Sequence, residues 1–118
     1  IYLEPATDRV RWQKSVAVLT NRRSFSSTND FVSKMRQLPK VVIIGDKTGG
    51  GSGLPFSSEL PNGWSVRFSA SPMFDPDMNH TEFGIEPDIK VNMESQDIQK
   101  GIDTIIETAR QYLLEHKE

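Results

Sequence analysis

Ser26 is the residue in this sequence best placed for covalent chemistry. It follows an apolar, β-branched run, Val16-Ala17-Val18-Leu19-Thr20, and precedes a helix signal that begins around Ser27 to Asn29. At such a junction the strand fixes the side chain, and the first free N–H groups of the helix face the place where a reacting atom would sit. Serine is also a standard helix cap, and position alone favours capping over catalysis. A serine nucleophile needs a base, and the imidazoles are His80 and His116. His116 sits in a charged tail and reads as solvated. His80 lies in a polar loop that would have to fold back to come within about 3 Å of the hydroxyl.

Other constellations are weaker. Gly49-Gly50-Gly51-Ser52-Gly53 resembles a phosphate-binding loop, but Lys47-Thr48 precedes the glycines where that loop needs Gly-Lys-Ser/Thr at its end. The third glycine of a dinucleotide-binding turn is also missing. Asp75, Asp77, Asn79 and Glu86 fall at positions 1, 3, 5 and 12 of a calcium loop, yet His80 occupies the position that requires glycine. A solvated acidic turn is the simpler reading. Asn79-His80-Thr81 is a glycosylation sequon, with meaning only in a secreted eukaryotic chain. Two distant histidines do not make a zinc site, and zero cysteines exclude disulfides, thiolate metal sites and a cysteine nucleophile. No metal and no cofactor is expected.

The elements that position these residues follow from the apolar pattern. The 118 residues suit one domain with a core of its own. Val16 to Thr20 and Val41-Val42-Ile43-Ile44 read as strands buried on both faces, which favours a parallel or mixed sheet. Between them Phe31, Met35 and Leu38 fall on one face of a helix that Pro39 stops. Strand, helix, strand is a βαβ unit. Asn62-Gly63 predicts a hairpin turn, followed by a half-buried strand in which Trp64, Val66, Phe68 and Ala70 alternate with polar residues. Gly84 to Ile89 reads as a turn into a short extended segment. Ile98, Ile102, Ile105, Ile106, Ala109, Tyr112 and Leu113 predict one C-terminal helix, capped by Ser95 or Gln96 and packed on the sheet. Residues 1–14 read as a linker or the end of an upstream segment, and residues 15–118 as the folded portion. The net charge is −2, with nine Lys/Arg against five Asp/Glu in residues 1–60 and five against eleven in residues 61–118. That distribution gives no basic stripe and argues against nucleic acid as a partner. The apolar runs are a few residues long, whereas a bilayer crossing needs roughly 20. No signal peptide is visible, and with Ile1 as its first residue the chain is expected to begin inside a longer one.

Four stretches carry a family resemblance: Val16 through Ser27, Ile44 through Gly53, Leu60 through Phe68, and Phe83-Gly84-Ile85-Glu86-Pro87-Asp88-Ile89. In this order and spacing the chain resembles the C-terminal part of the catalytic domain of tail-specific, or C-terminal processing, serine peptidases of family S41. More narrowly, it resembles their tricorn-like branch in Bacteroides-type bacteria. The resemblance implies a partial α/β core of the crotonase and ClpP kind, with a βαβ unit, a hairpin and a C-terminal helix. It assigns Ser26 as nucleophile. One branch of the family uses a lysine after the loop glycines, and Gly51 stands at that position here. The other branch uses a histidine from the N-terminal part of the domain, a second serine, and a C-terminal glutamate. Glu82 is the choice for that glutamate, with Glu86 its rival and a surface acid the alternative for Glu82. No histidine precedes Ser26, so the base is expected from an upstream half of the domain.

The resemblance further implies that the Ser27 N–H contributes to the oxyanion site and that Ser27 borders the pocket for the residue before the cleaved bond. Gly49, Gly50 and Gly51 would shape the cleft wall and leave room for an extended peptide, unless they only permit a crowded chain crossing. The expected partner is a peptide or protein substrate. The expected setting is the periplasm or cell envelope, with a lipid anchor and a homo-oligomer left open. The 118 residues alone are expected to be inert, and a longer parent to be a serine endopeptidase. A non-catalytic peptide-binding relative, a structural fragment completing another chain, and a generic small α/β domain are the alternatives.

Overall fold

The computed structural model describes residues 6–116. Residues 1–5 of the expected linker, and residues 117–118, lie outside the described residues. Residues 6–14 carry neither helix nor strand and are exposed. The first strand, β1 (Val16–Thr20), leads through α1 (Ser27–Met35) to β2 (Val41–Gly45). β1 and β2 pair in parallel from Val16 opposite Val41 to Thr20 opposite Gly45. A two-residue strand, β5 (Ile89–Lys90), pairs in parallel with the other side of β2, so the sheet runs β1-β2-β5. β2 is its centre because it can be covered on both faces. Ile43 packs with Val32 of α1 and with Ile85. Val42 and Ile44 pack with Ala109 of α3 (Thr104–Glu115). Ile43 and Ile44 are fully buried, and each such side chain contributes about 1.5–3 kcal/mol on leaving water. The result is three layers: α1, sheet, α3.

Three expectations need correction. The face of α1 turned to the sheet is not Phe31, Met35 and Leu38. Phe31 and Leu38 are exposed, and the buried residues are Asn29 and Val32. A polar anchor at Asn29, described below, sets the helix rotation in place of the larger apolar side chains. The single C-terminal helix is two. α2 (Ser95–Gln99) ends at Lys100, Gly101 takes a φ of +70°, and α3 starts at Thr104. The physical signals were in the sequence. Glycine just past a helix end favours the left-handed turn that stops it, and aspartate is a strong cap. Asp103 accepts from the N–H groups of Ile105 and Ile106 at 2.9 and 3.0 Å. Neither Ser95 nor Gln96 caps α2, whose N-cap is Glu94.

The third correction concerns the hairpin. It forms as expected around Gly63, with β3 (Pro55–Glu59) and β4 (Ser65–Ser69) antiparallel and Pro55 opposite Ser69. β4 is not half-buried, however. Every residue of both strands is exposed, including Phe56, Val66 and Phe68. The alternation in β4 is real, but among the described residues nothing covers its apolar face. The buried apolar core is correspondingly small for this chain length: Val32, Val42, Ile43, Ile44, Ile85 and Ala109.

Candidate active site

The turn from β1 into α1 presents Ser26 in an unusual backbone conformation. Its φ is 57° and its ψ is −124°. A non-glycine residue there carries strain of about 1–3 kcal/mol and persists only where its surroundings hold it. They do so here. Ser26 N–H donates to Gly50 O at 2.7 Å, Gly49 N–H donates to Ser24 O at 3.0 Å, and Asp30 N–H donates to Ser26 O at 3.1 Å. Phe25 and Gly50 form a parallel bridge that extends the alignment beyond β1. Ser26 occupies the N-cap position of α1, but its side chain makes no capping hydrogen bond. The capping alternative for the Ser26 hydroxyl is therefore not realised.

Ser26 opens into a cleft of ≈ 410 Å³ walled by Phe25, Gly51, Pro55, Arg67, Phe68, Ser69 and Glu82. Glu82 sits in a 3₁₀ turn, Thr81–Phe83. One carboxylate oxygen, Oε1, accepts from the Ser69 hydroxyl at 2.7 Å. The other, Oε2, is buried and has no hydrogen-bond partner among the described residues. A buried acceptor without a donor is costly, and such groups ask for an explanation. Glu86 lies elsewhere: it faces Lys47 at 3.4 Å and Lys90 at 3.8 Å. Of the two glutamates weighed from the sequence, Glu82 shares the cleft with Ser26.

The glycine loop runs between the Ser26 turn and the Glu82 turn. Gly51 N–H donates to Glu82 O at 2.9 Å, while Gly50 O accepts from Ser26. A side chain at Gly49 would strike Arg22 O, and one at Gly50 would strike Glu82 O. These two positions serve a crowded chain crossing and do not line the cleft. Gly51 does line it, but the space its side chain would take is filled by the Phe25 ring. Gly53 leaves room for Ser69 and Glu82 Oε2 in the same way. Ser27 is the first residue of α1 and is exposed, in keeping with an N–H free at a helix start.

A buried polar network, missed in the sequence, ties these pieces together. Asn29 is fully buried. Its amide nitrogen donates to Ser52 Oγ at 2.6 Å and to Thr81 O at 2.9 Å, and its oxygen accepts from Thr48 Oγ1 at 2.5 Å. Thr48 Oγ1 in turn accepts from Ile85 N–H at 2.6 Å, and Ser52 Oγ donates to Asp30. One side chain thus joins the helix behind Ser26, the glycine loop and the turn carrying Glu82. No motif marks Asn29, since an asparagine near a helix start reads as a cap. Ser69 and Arg67 carried a signal: they form the polar side of the alternating β4.

Neither imidazole lines this cleft. His80 packs against Phe74 and Phe83, with ring centroids at 5.0 and 5.4 Å, and its Nδ1 accepts from Glu82 N–H at 3.2 Å. His116 stacks on Tyr112 at 4.1 Å. Of the calcium-like pattern, Asp75, Asn79 and Glu86 line one cavity, where Asp75 and Asn79 bond to each other. Asp75 accepts from Asn79 N–H at 2.8 Å and from its side-chain amide at 3.0 Å, and these bonds hold its carboxyl below the usual aspartate value. Among the described residues no group of three or more His, Asp or Glu is arranged to hold a metal, and no helix is long and apolar enough to cross a membrane.

The mixed α/β fold is shared with solved structures that include a protease. The structure of the tricorn protease matches with a TM-score of 0.72 at 22% identity, over 86% of this chain and 10% of that one. Mature CPAF, solved in complex with lactacystin, matches with a TM-score of 0.70 at 22% identity, over 92% of this chain and 20% of that one. A protein of Parabacteroides merdae ATCC 43184, described as a candidate peptidase, is 64% identical with a TM-score of 0.92, over 97% of this chain and 36% of that one. The family model of peptidase family S41 matches residues 2–91. The chain belongs to peptidase family S41. A Chlamydia trachomatis protein is 25% identical over 107 residues, which are 86% of this chain and 18% of that protein. The chain therefore spans under a fifth of that relative and about a third of the Parabacteroides protein.

Proposed function

We propose that this chain is the nucleophile-bearing part of a serine endopeptidase whose remaining part supplies the base. One observation carries the reading: a strained, uncapped serine at a helix start opens into a cleft that also holds a glutamate with an unpartnered buried oxygen. In this mechanism the Ser26 hydroxyl attacks a peptide carbonyl and gives its proton to an imidazole from outside these residues. The tetrahedral oxyanion accepts from the Ser27 N–H. Collapse returns the proton to the leaving amine and leaves an ester on Ser26, and water then hydrolyses the ester through the same base. Glu82, held at Oε1 by Ser69, keeps Oε2 for orienting the base network and offsetting the positive charge it acquires.

Tail specificity, the crotonase-like completion of the fold, a cell-envelope location and self-association belong to the same proposal. The 118 residues by themselves are expected to be inert, because neither of their histidines lines the Ser26 cleft. That observation also favours the second reading, a peptide-binding relative without chemistry. Peptide hydrolysis by the full-length protein separates the two. Ser26→Ala is expected to abolish turnover, Glu82→Gln to lower kcat on the order of 10²-fold or more, and Glu86→Gln to change it less than about threefold. Hydrolysis that survives Ser26→Ala, or a folded full-length protein with no turnover, contradicts the catalytic reading.

A further inference from the structure

The cleft beside Ser26 holds a cation that the mechanism above does not use. Arg67 lines it together with Ser26, Ser69 and Glu82. The strand register explains why. Partners across an antiparallel pair share a face, and successive residues alternate. Pro55 opposite Ser69 and Ser57 opposite Arg67 therefore lie on one side of the hairpin, and Phe56 opposite Phe68 on the other. Ser69 reaches Glu82 from that polar side, so Arg67, two residues earlier, projects from the same side of the strand.

Among the described residues Arg67 forms no ion pair. The pairs that form engage Arg22, Arg36, Lys47, Lys90 and Arg110. The Glu82 carboxylate in the same cleft does not neutralise it, since Glu82 takes its one hydrogen bond from Ser69 and leaves Oε2 unpartnered. Across the strand pair Ser57 is too small to cover a guanidinium. An arginine on the wall of a substrate cleft, with its fork of donors open, matches the planar, two-oxygen geometry of a carboxylate.

We propose that Arg67 forms a subsite for a substrate carboxylate next to the bond that Ser26 attacks, so that acidic peptides are preferred. This rests on the peptidase reading above and adds the substrate class. The carboxylate comes from an acidic side chain or from a peptide C-terminus, and the test separates these sources.

The full-length protein is assayed with matched peptides carrying Glu, Gln or Lys at successive positions around the cleaved bond, with amidated C-termini, and with a parallel set bearing free C-termini. The expected result is a kcat/KM for the best-placed Glu about tenfold above Gln, weakening as salt is raised. Preference for the free C-terminus over the amide, with no side-chain effect, assigns the subsite to the chain end. Arg67→Gln is expected to erase the preference for Glu over Gln. Arg67→Glu is expected to shift it toward Lys. An Arg67→Gln variant that slows Glu and Gln peptides equally overturns the proposal, because Arg67 then acts on the site and not on substrate charge. Equal turnover of all peptides by the wild type overturns it too. Binding of the same peptides to Ser26→Ala protein gives a readout that does not need hydrolysis. If nothing is cleaved but Glu peptides still bind more tightly through Arg67, the peptidase reading fails and the subsite stands.

Discussion

The central strand of the parallel sheet and the two strands of the hairpin are each five residues long and meet opposite fates. In β2 four of five residues are buried, whereas in β3 and β4 all are exposed. The difference lies in what the chain supplies to each face. A continuous apolar run needs cover on two sides, and α1 and α3 provide it from within these residues. An alternating strand needs cover on one side, and the described residues provide none for Phe56, Val66 and Phe68. The better-supported region carries the strained serine. The less-supported one carries Ser69, which holds the glutamate. Precise placement of the serine backbone demands a rigid scaffold, and the covered sheet supplies it.

Ile44→Ala should probe the rigid half most severely. The side chain is fully buried at the sheet centre, so a loss of about 2–5 kcal/mol is expected, read by urea unfolding of the full-length protein. A loss below 1 kcal/mol would show that the sheet is not the framework described here. Asn29→Ala comes next. It leaves the Thr48 hydroxyl without its acceptor and removes the donor to Thr81 O, an expected cost of about 1–3 kcal/mol. Because it joins both sides of the site, it should also lower kcat, and Asn29→Asp should fail to restore either, since two donors are required.

For the hairpin, Phe68→Ser in the 118-residue chain is expected to shift stability by less than about 0.5 kcal/mol. A cost several times larger in the full-length protein would identify this face as covered by the rest of the polypeptide. Equal small effects in both would mean that the face stays open. The smallest effect concerns acid. Hydrogen bonds from Asn79 lower the Asp75 carboxyl, and the Lys47 N–H does the same for Asp46 with help from Arg22. A lowered folded-state value stabilises above the unfolded value of 3.8 and is lost as pH falls through the folded one. Asp75→Asn should therefore remove a small stabilisation present at neutral pH, and the variant and the wild type should converge in thermal stability as pH falls below that value.

The sheet was legible because its strands are unbroken apolar runs separated by one helix length. The rotation of α1 was not, because a single buried asparagine outweighs Phe31 and Leu38, and hydrogen-bond partners 19 to 52 residues away leave no mark in local spacing. The break at Gly101 and Asp103 was readable and was masked by an apolar stripe that continues across it. Position alone favoured cap over nucleophile at Ser26. The structure removes the cap reading because the Ser26 side chain makes no capping hydrogen bond, which residue types do not encode. Glu82 and Ser26 lie 56 positions apart in the sequence, and only the turn at Thr81–Phe83 and the glycine crossing bring them to one cleft.

The account turns on Ser26 being chemically reactive in the complete protein. Treatment of the folded full-length protein with a serine-directed fluorophosphonate, followed by peptide mapping, tests this directly. The expected result is one adduct, on Ser26, which disappears when the histidine proposed as its base is replaced. No adduct, or an adduct on another serine, would contradict the assignment and turn this cleft into a site for binding peptides only.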